Sequence, residues 1–260
     1  MISKCRRLTC LLLLAAITAA CGGGGSSGGG FQSTPSSAGG FWQGTTTADG
    51  ATQDIYGFVA ESRLFHFIRA DGAQFYGTLT ITGNDGTASF TGLAPPGTTF
   101  ADGSTRGTGT LTATIQTRSQ LNITGSFTTA NNTTSNLTMM VQYDAGYEPD
   151  SALASVGGNY AAMGAPPGTD SFSISNTGVV TYSDNTGCMA NGTVTLIDSQ
   201  WNLYNVEFTF SNCPVPAQNG LQVQGLLTID LTQDPDLLIL AVHGTVQGVP
   251  IAFLFAYQRA

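Results

Sequence analysis

Few residues of this 260-residue chain have types and spacings that could do chemistry. There are two histidines, one in each half: His66 in Leu64-Phe65-His66-Phe67-Ile68, and His243 in Leu240-Ala241-Val242-His243-Gly244. Zinc needs three or four convergent ligands, and neither an H-x-H nor an H-E-x-x-H spacing occurs. Each histidine therefore reads as a wall or rim residue with one hydrogen bond. A serine hydrolase needs a base and an acid positioned beside its nucleophile, and a glycosidase needs two facing carboxylates. The glutamates are Glu61, Glu148 and Glu207, and most aspartates fall in turn-like stretches. Gly24-Gly25-Ser26-Ser27-Gly28 matches G-x-S-x-G, but that elbow needs a strand before it and a helix after it. A glycine run offers neither. Asp230, Asp234 and Asp236 around Pro235 form the sharpest acidic cluster. Calcium takes several oxygen ligands from a tight loop, yet Thr232 to Asp236 also reads as a hairpin turn, where Asp and Pro belong. The turn is favoured. No metal, no cofactor and no enzymatic activity are expected.

The remaining reactive group is a thiol, Cys21. Lys4, Arg6 and Arg7 precede an apolar run from Leu8 to Ile17. That is the order of a secretory signal, and the run is too short to span a bilayer, which takes about 20 apolar residues. Thr18-Ala19-Ala20-Cys21 resembles the lipobox of bacterial lipoproteins, departing from it at Thr18, where Leu is usual. The resemblance implies that Cys21 is lipidated. The alternative is ordinary cleavage after Ala20, leaving a free thiol. Gly22 follows the cysteine with no Asp nearby, and by the same resemblance this points to the outer membrane, on either its periplasmic or its outer side. The Gly/Ser run after Cys21 behaves as a flexible coil, a tether whose role is reach.

Removal of residues 1–20 takes away Lys4, Arg6 and Arg7 but no acid. The formal charge moves from −8 to −11, and no lysine remains. Nucleic-acid binding is not expected, because phosphate neutralisation needs clustered Lys and Arg. Of five cysteines, Cys5 and Cys10 leave with the signal. Cys188 and Cys213 remain as an even pair in an oxidising compartment and read as a disulfide. A metal pair and two free thiols are the weaker alternatives. Four N-x-T sequences, at Asn122, Asn132, Asn136 and Asn191, are chance matches in a Thr-rich chain.

Thr, Val, Phe, Tyr and Ile in short alternating runs favour strands. Asp49-Gly50, Asp71-Gly72 and Asn84-Asp85-Gly86 mark turns. The pattern predicts strands near 41–48, 53–60, 63–70, 73–83, 86–92, 106–117, 119–129 and 133–143. It breaks between Gly146 and Gly157, where Pro149 to Val156 reads as one or two helical turns capped by Asp150 or Ser151. A second set follows near 158–164, 169–175, 178–183, 188–198, 201–210, 220–231, 236–243 and 246–258. Gly157-Gly158-Asn159-Tyr160 echoes Gly39-Gly40-Phe41-Trp42, a weak internal repeat. Eight antiparallel strands can close into a barrel that leaves no edge.

The reading is an all-β chain with two consecutive eight-stranded, up-and-down, barrel-like halves. Its parts are signal peptide 1–20, lipidated Cys and tether 21–38, N-terminal barrel 39–145, linker 146–157 and C-terminal barrel 158–260. Inward aromatics, Tyr204, Phe208, Phe210, Phe253, Phe255 and Tyr257 among them, suggest filled interiors. A hairpin about residue 199 would set Cys188 opposite residue 210, with Cys213 in the loop just beyond.

Lipobox, glycine tether, the Phe41-Trp42-Gln43-Gly44 opening and a cysteine pair in the C-terminal half together resemble glycine-tethered proteobacterial lipoproteins. More distantly the chain is similar to barrel surface lipoproteins of the transferrin-binding protein B and factor H-binding protein type. The resemblance implies a membrane-anchored, non-enzymatic protein that binds a macromolecular partner or supports the envelope. The alternative is a lipocalin-like carrier of a small apolar ligand.

Overall fold

Short turns and period-two alternation organise the chain. The computed structural model describes residues 36–164, 166 and 169–260. The signal peptide, Cys21 and the tether as far as residue 35 lie outside the described residues. Asp49 and Gly50, both at positive φ (51° and 82°), close the hairpin between β1 (Gly40–Ala48) and β2 (Ala51–Val59). Two positive φ values are what a type I′ turn requires, and its twist matches that of the strands.

The first barrel continues through β3 (Leu64–Arg69), β4 (Gln74–Thr78), β5 (Thr80–Thr82), β6 (Asp85–Leu93), β7 (Arg106–Gln116), β8 (Gln120–Thr129) and β9 (Thr134–Asp144). Apart from β4 and β5, each strand pairs antiparallel with the next, β1 pairs with β9, and β4 pairs with β6, which closes the ring. β4 and β5 meet β6 in one continuous register, Gly77↔Phe90 and Thr80↔Thr87, so they act as a single strand interrupted at Leu79. The ring therefore has eight strands.

Inward residues alternate with outward hydroxyls, as expected for half-buried strands. On β7, Leu111, Ala113 and Ile115 are buried while Thr110, Thr112 and Thr114 face out. Trp42, Phe65, Phe67, Phe75, Phe90 and Phe127 belong to one core, and the Trp42 indole N–H donates to Ala38 O (3.0 Å). Glycines make room for the rings. A Cβ at Gly109 would collide with Phe90, and one at Gly92 or Gly107 with Phe127.

The connection between barrels differs from expectation. A 3-10 turn (Ala145–Tyr147) follows β9 directly, because the Asp144 carboxylate accepts from Gly146 N (2.8 Å). The helix α1 covers only Leu153–Val156, with Ala152 as its N-cap residue and no side-chain cap. Neither Asp150 nor Ser151 caps it. Ser151 instead donates to Asp198 O (2.9 Å) and its N–H to Ser199 O (2.9 Å), stitching the connection to the second barrel.

That barrel is a closed ring of β10 (Gly158–Ala162), β11 (Asp170–Ile174), β12 (Val179–Asp184), β13 (Met189–Leu196), β14 (Tyr204–Ser211), β15 (Gln222–Asp230), β16 (Leu237–Val246) and β17 (Val249–Arg259). The chain thus forms two consecutive closed eight-stranded antiparallel barrels. The β13–β14 hairpin pairs Met189 with Ser211, so its centre is residue 200 rather than 199. Cys188 faces residue 212, not 210. The cause is a wide connection from Ile197 to Leu203, in which Asn202 and Leu203 are buried.

The barrels touch along an apolar seam. Phe58, Ala60, Ile68 and Tyr147 pack with Leu203, Leu226 and Ala241. Tyr147 stacks on Trp201 at 5.2 Å, and the Arg118 guanidinium lies 4.1 Å from the Trp201 ring centre.

Candidate functional site

The inward face of the second barrel changes character along its axis. At one end α1 acts as a plug. Val156 is fully buried, Tyr160 Oη donates to Val156 O (2.7 Å), and Tyr204 Oη donates to Ala152 O (3.1 Å). Arg259 ties the plug down through Ser155 O (2.6 Å) and Gly157 O (2.7 Å), and its Nε lies 2.8 Å from Asp236.

The other end opens. β17 is eleven residues long and β10 only five, and their pairing runs from Tyr160↔Arg259 to Ala162↔Tyr257. Phe210, Phe253 and Phe255 are only half-buried there, whereas Tyr204, Val206 and Phe208 are buried. The interior is therefore not filled throughout. A cup of about 220 Å³ remains, walled by Phe172, Tyr182, Phe208, Phe210, Phe253 and Phe255. Its rings are within contact of one another: Phe253–Phe255 at 5.7 Å, Phe208–Phe210 at 5.3 Å and Phe172–Tyr257 at 4.9 Å between centres.

The rim is polar and acidic. Asp184 Oδ1 accepts from Thr186 N (2.8 Å), Thr186 Oγ1 (2.6 Å) and Cys188 N (3.0 Å). Burial pulls the Asp184 pKa upward, but these bonds outweigh it and hold the carboxyl below its ordinary value. Tyr182 is pushed up to about 12, first by burial and then by the nearby Asp184 and Asp170 charges. Cys188 and Cys213 sit at bonding distance, 25 residues apart in sequence. Cys188 lines the cup beside Pro214, Gln218 and Leu221, so the bridge fastens the β14–β15 loop over one side of it.

No protein-family model matches the chain, and no curated protein matches it. One solved structure, that of a Bacteroides fragilis protein named as a candidate outer membrane protein, aligns over 85% of this chain and 97% of its own, at 12% identity and a TM-score of 0.30.

The two histidines are brought together, which nothing in their spacing suggested. His66 points outward from β3 and His243 outward from β16, so both lie in the seam with ring centres 6.1 Å apart. Tyr76 stacks on His243 at 3.9 Å. His66 Nε2 donates to Gln74 Oε1 (2.8 Å), while the buried His243 Nδ1 has no partner among the described residues. Burial, and then the neighbouring His243, lower the His66 pKa to about 3. Burial alone lowers that of His243 to about 4. Both rings are neutral at neutral pH. Among the described residues no group of three His, Cys, Asp or Glu side chains gathers as a metal site would need.

Two carboxylates of the acidic loop are already engaged. Asp230 Oδ1 accepts from Thr232 N (2.9 Å) and Thr232 Oγ1 (2.6 Å), and Asp236 pairs with Arg259.

A signal for the seam does exist in the sequence. Leu64 to Ile68 and Leu237 to Val242 are apolar on both parities, with Leu226-Leu227 beside them. Such runs mark strands covered on both faces. For the cup there was only the excess of aromatics on β14 and β17, which indicates an inward face without saying whether it is full.

Proposed function

We propose that this protein is a non-enzymatic binding lipoprotein, held at the bacterial outer membrane through lipidated Cys21, that takes a small, largely apolar ligand into its C-terminal barrel. The observation that supports the reading is a barrel plugged at one end by α1 and open at the other into an aromatic cup. Binding sites are typically concave and apolar, with a few placed polar groups, and the cup has this character. Its volume is below the roughly 300–1,000 Å³ of drug-sized sites, so it suits a head group or a chain end. The first barrel, packed with rings to its core, serves as a platform through the seam.

The test is the native mass of the mature protein gently released from cell envelopes, compared with its denatured, unreduced mass. Extra mass that vanishes on denaturation, and is lost in Phe253→Ala, supports the carrier. A clean match in native and denatured states removes it. The anchor is tested separately: Cys21→Ala should abolish labelling by a fatty-acid analogue and release the protein from membranes.

One observation favours a second reading, a macromolecular partner. An apolar cleft of about 630 Å³ runs beside the seam, lined by Phe41, Tyr56, Phe58, Ile239, Leu231 and Leu254. Tyr56, Leu231 and Leu254 are exposed, a pattern common at interaction surfaces. A photo-crosslinker at Tyr56 that gives a discrete adduct in cells, absent from one at Thr112, would favour this reading.

A further inference from the structure

Resting on the binding reading above, we propose that the cup selects organic cations, taking the head group of a quaternary or tertiary ammonium on an apolar stem. Three features point the same way. The walls are π-systems: Phe253, Phe255 and Tyr257 stack in series along β17, at 5.7 and 6.0 Å, and Phe172 stacks on Tyr257. A cation over the face of an aromatic ring, within about 6 Å of its centre, is attracted by the ring quadrupole, more strongly where water is excluded. A neutral ligand gains burial alone.

The charge at the rim is of one sign. Asp184 is the only charged residue lining the cup among the described residues, and Asp170 lies directly across from it in the β11–β12 register. Asp184 keeps its charge at neutral pH because the Thr186 and Cys188 donors favour the carboxylate. Among the described residues no Arg lines the cup, and Arg259 is bound at the plugged end to Asp236 and to the backbone of α1. An anion would meet repulsion from the rim and from a mature chain of net charge −11.

Size is the third feature. About 220 Å³ accommodates a compact head group and leaves a longer stem to pass out over Gln218 and Thr186.

The experiment is calorimetric titration of the full mature protein with three probes of one shape: choline, its neutral carbon isostere 3,3-dimethylbutan-1-ol, and the anion 3,3-dimethylbutanoate. Choline should bind tighter than the neutral isostere by about tenfold. The preference should shrink as salt rises, since the rim charges are partly exposed. Phe253→Leu keeps apolar volume and removes the ring, and it should weaken choline while sparing the neutral probe. Asp170→Asn should lower the preference without touching the capped hairpin of Asp184. Equal binding of choline and the neutral isostere overturns the cation preference and leaves the apolar carrier standing. Failure of all three probes, and of a neutral long-chain alcohol, removes the cup as a ligand site and takes both proposals with it.

Discussion

The two barrels share one architecture and use aromatic residues in opposite ways. In the first, Phe75, Phe90 and Phe127 meet one another at 5.8–6.1 Å, all buried, with Phe100 of the β6–β7 loop laid against Phe127 and glycines on the neighbouring strands giving them space. In the second, Phe210, Phe253 and Phe255 gather at one mouth, where the short β10 stops pairing with β17. The first barrel is a packed core and the second is a packed base with an open cup. Strand number does not decide this. The relative lengths of β10 and β17, and the side of the ring that α1 plugs, do.

The contrast can be broken by substitution. Trp42→Ala in the filled barrel should cost about 3–5 kcal/mol in chemical denaturation, the usual range for emptying an aromatic core site. A loss below about 1 kcal/mol would mean that the first barrel is not filled as described. Opening the bridge with Cys188→Ser and Cys213→Ser should cost about 3–4 kcal/mol for a loop with a 25-residue separation. It should also weaken any ligand of the second barrel while leaving the fold of the first intact, which two-dimensional NMR would show.

The seam adds a pH dependence. His66 titrates near 6.5 when unfolded and is lowered to about 3 when folded. Between those values the unfolded state binds the extra proton, so stability is full above about pH 6.5 and falls as pH drops towards 3. By pH 4.5 the loss from His66 alone should reach about 2–3 kcal/mol. Denaturation at pH 7 and pH 4.5 for the natural protein and for His66→Gln would measure it. Equal pH slopes for the two would mean that His66 is not buried in the seam.

The smallest effect sharpens the comparison most. Phe253→Ala at the half-buried rim should cost about 1 kcal/mol or less, since little packing is lost there. A loss like that of Trp42→Ala would show that the cup is closed and that both barrels are filled.

Read alone, the sequence determined the strands. Alternation is local physics: one face of each strand is apolar because one face is covered, and Asp49-Gly50 turns tightly whatever lies around it. Both rings of eight were legible for that reason, as was the Cys188–Cys213 pairing, which follows from an even count. The tertiary structure decided what depends on distant segments meeting. His66 and His243 stand 177 positions apart in the numbering, and only docking of the outer faces of β3 and β16 makes them neighbours. Of the two candidate caps, Asp150 or Ser151, neither serves: the helix starts one residue later, and Ser151 found partners at Asp198 and Ser199, on a loop that no local rule could supply. The fullness of a barrel was equally out of reach. Alternation tells which side chains point inward, but the space left between them depends on strand lengths, on stagger and on what plugs each end.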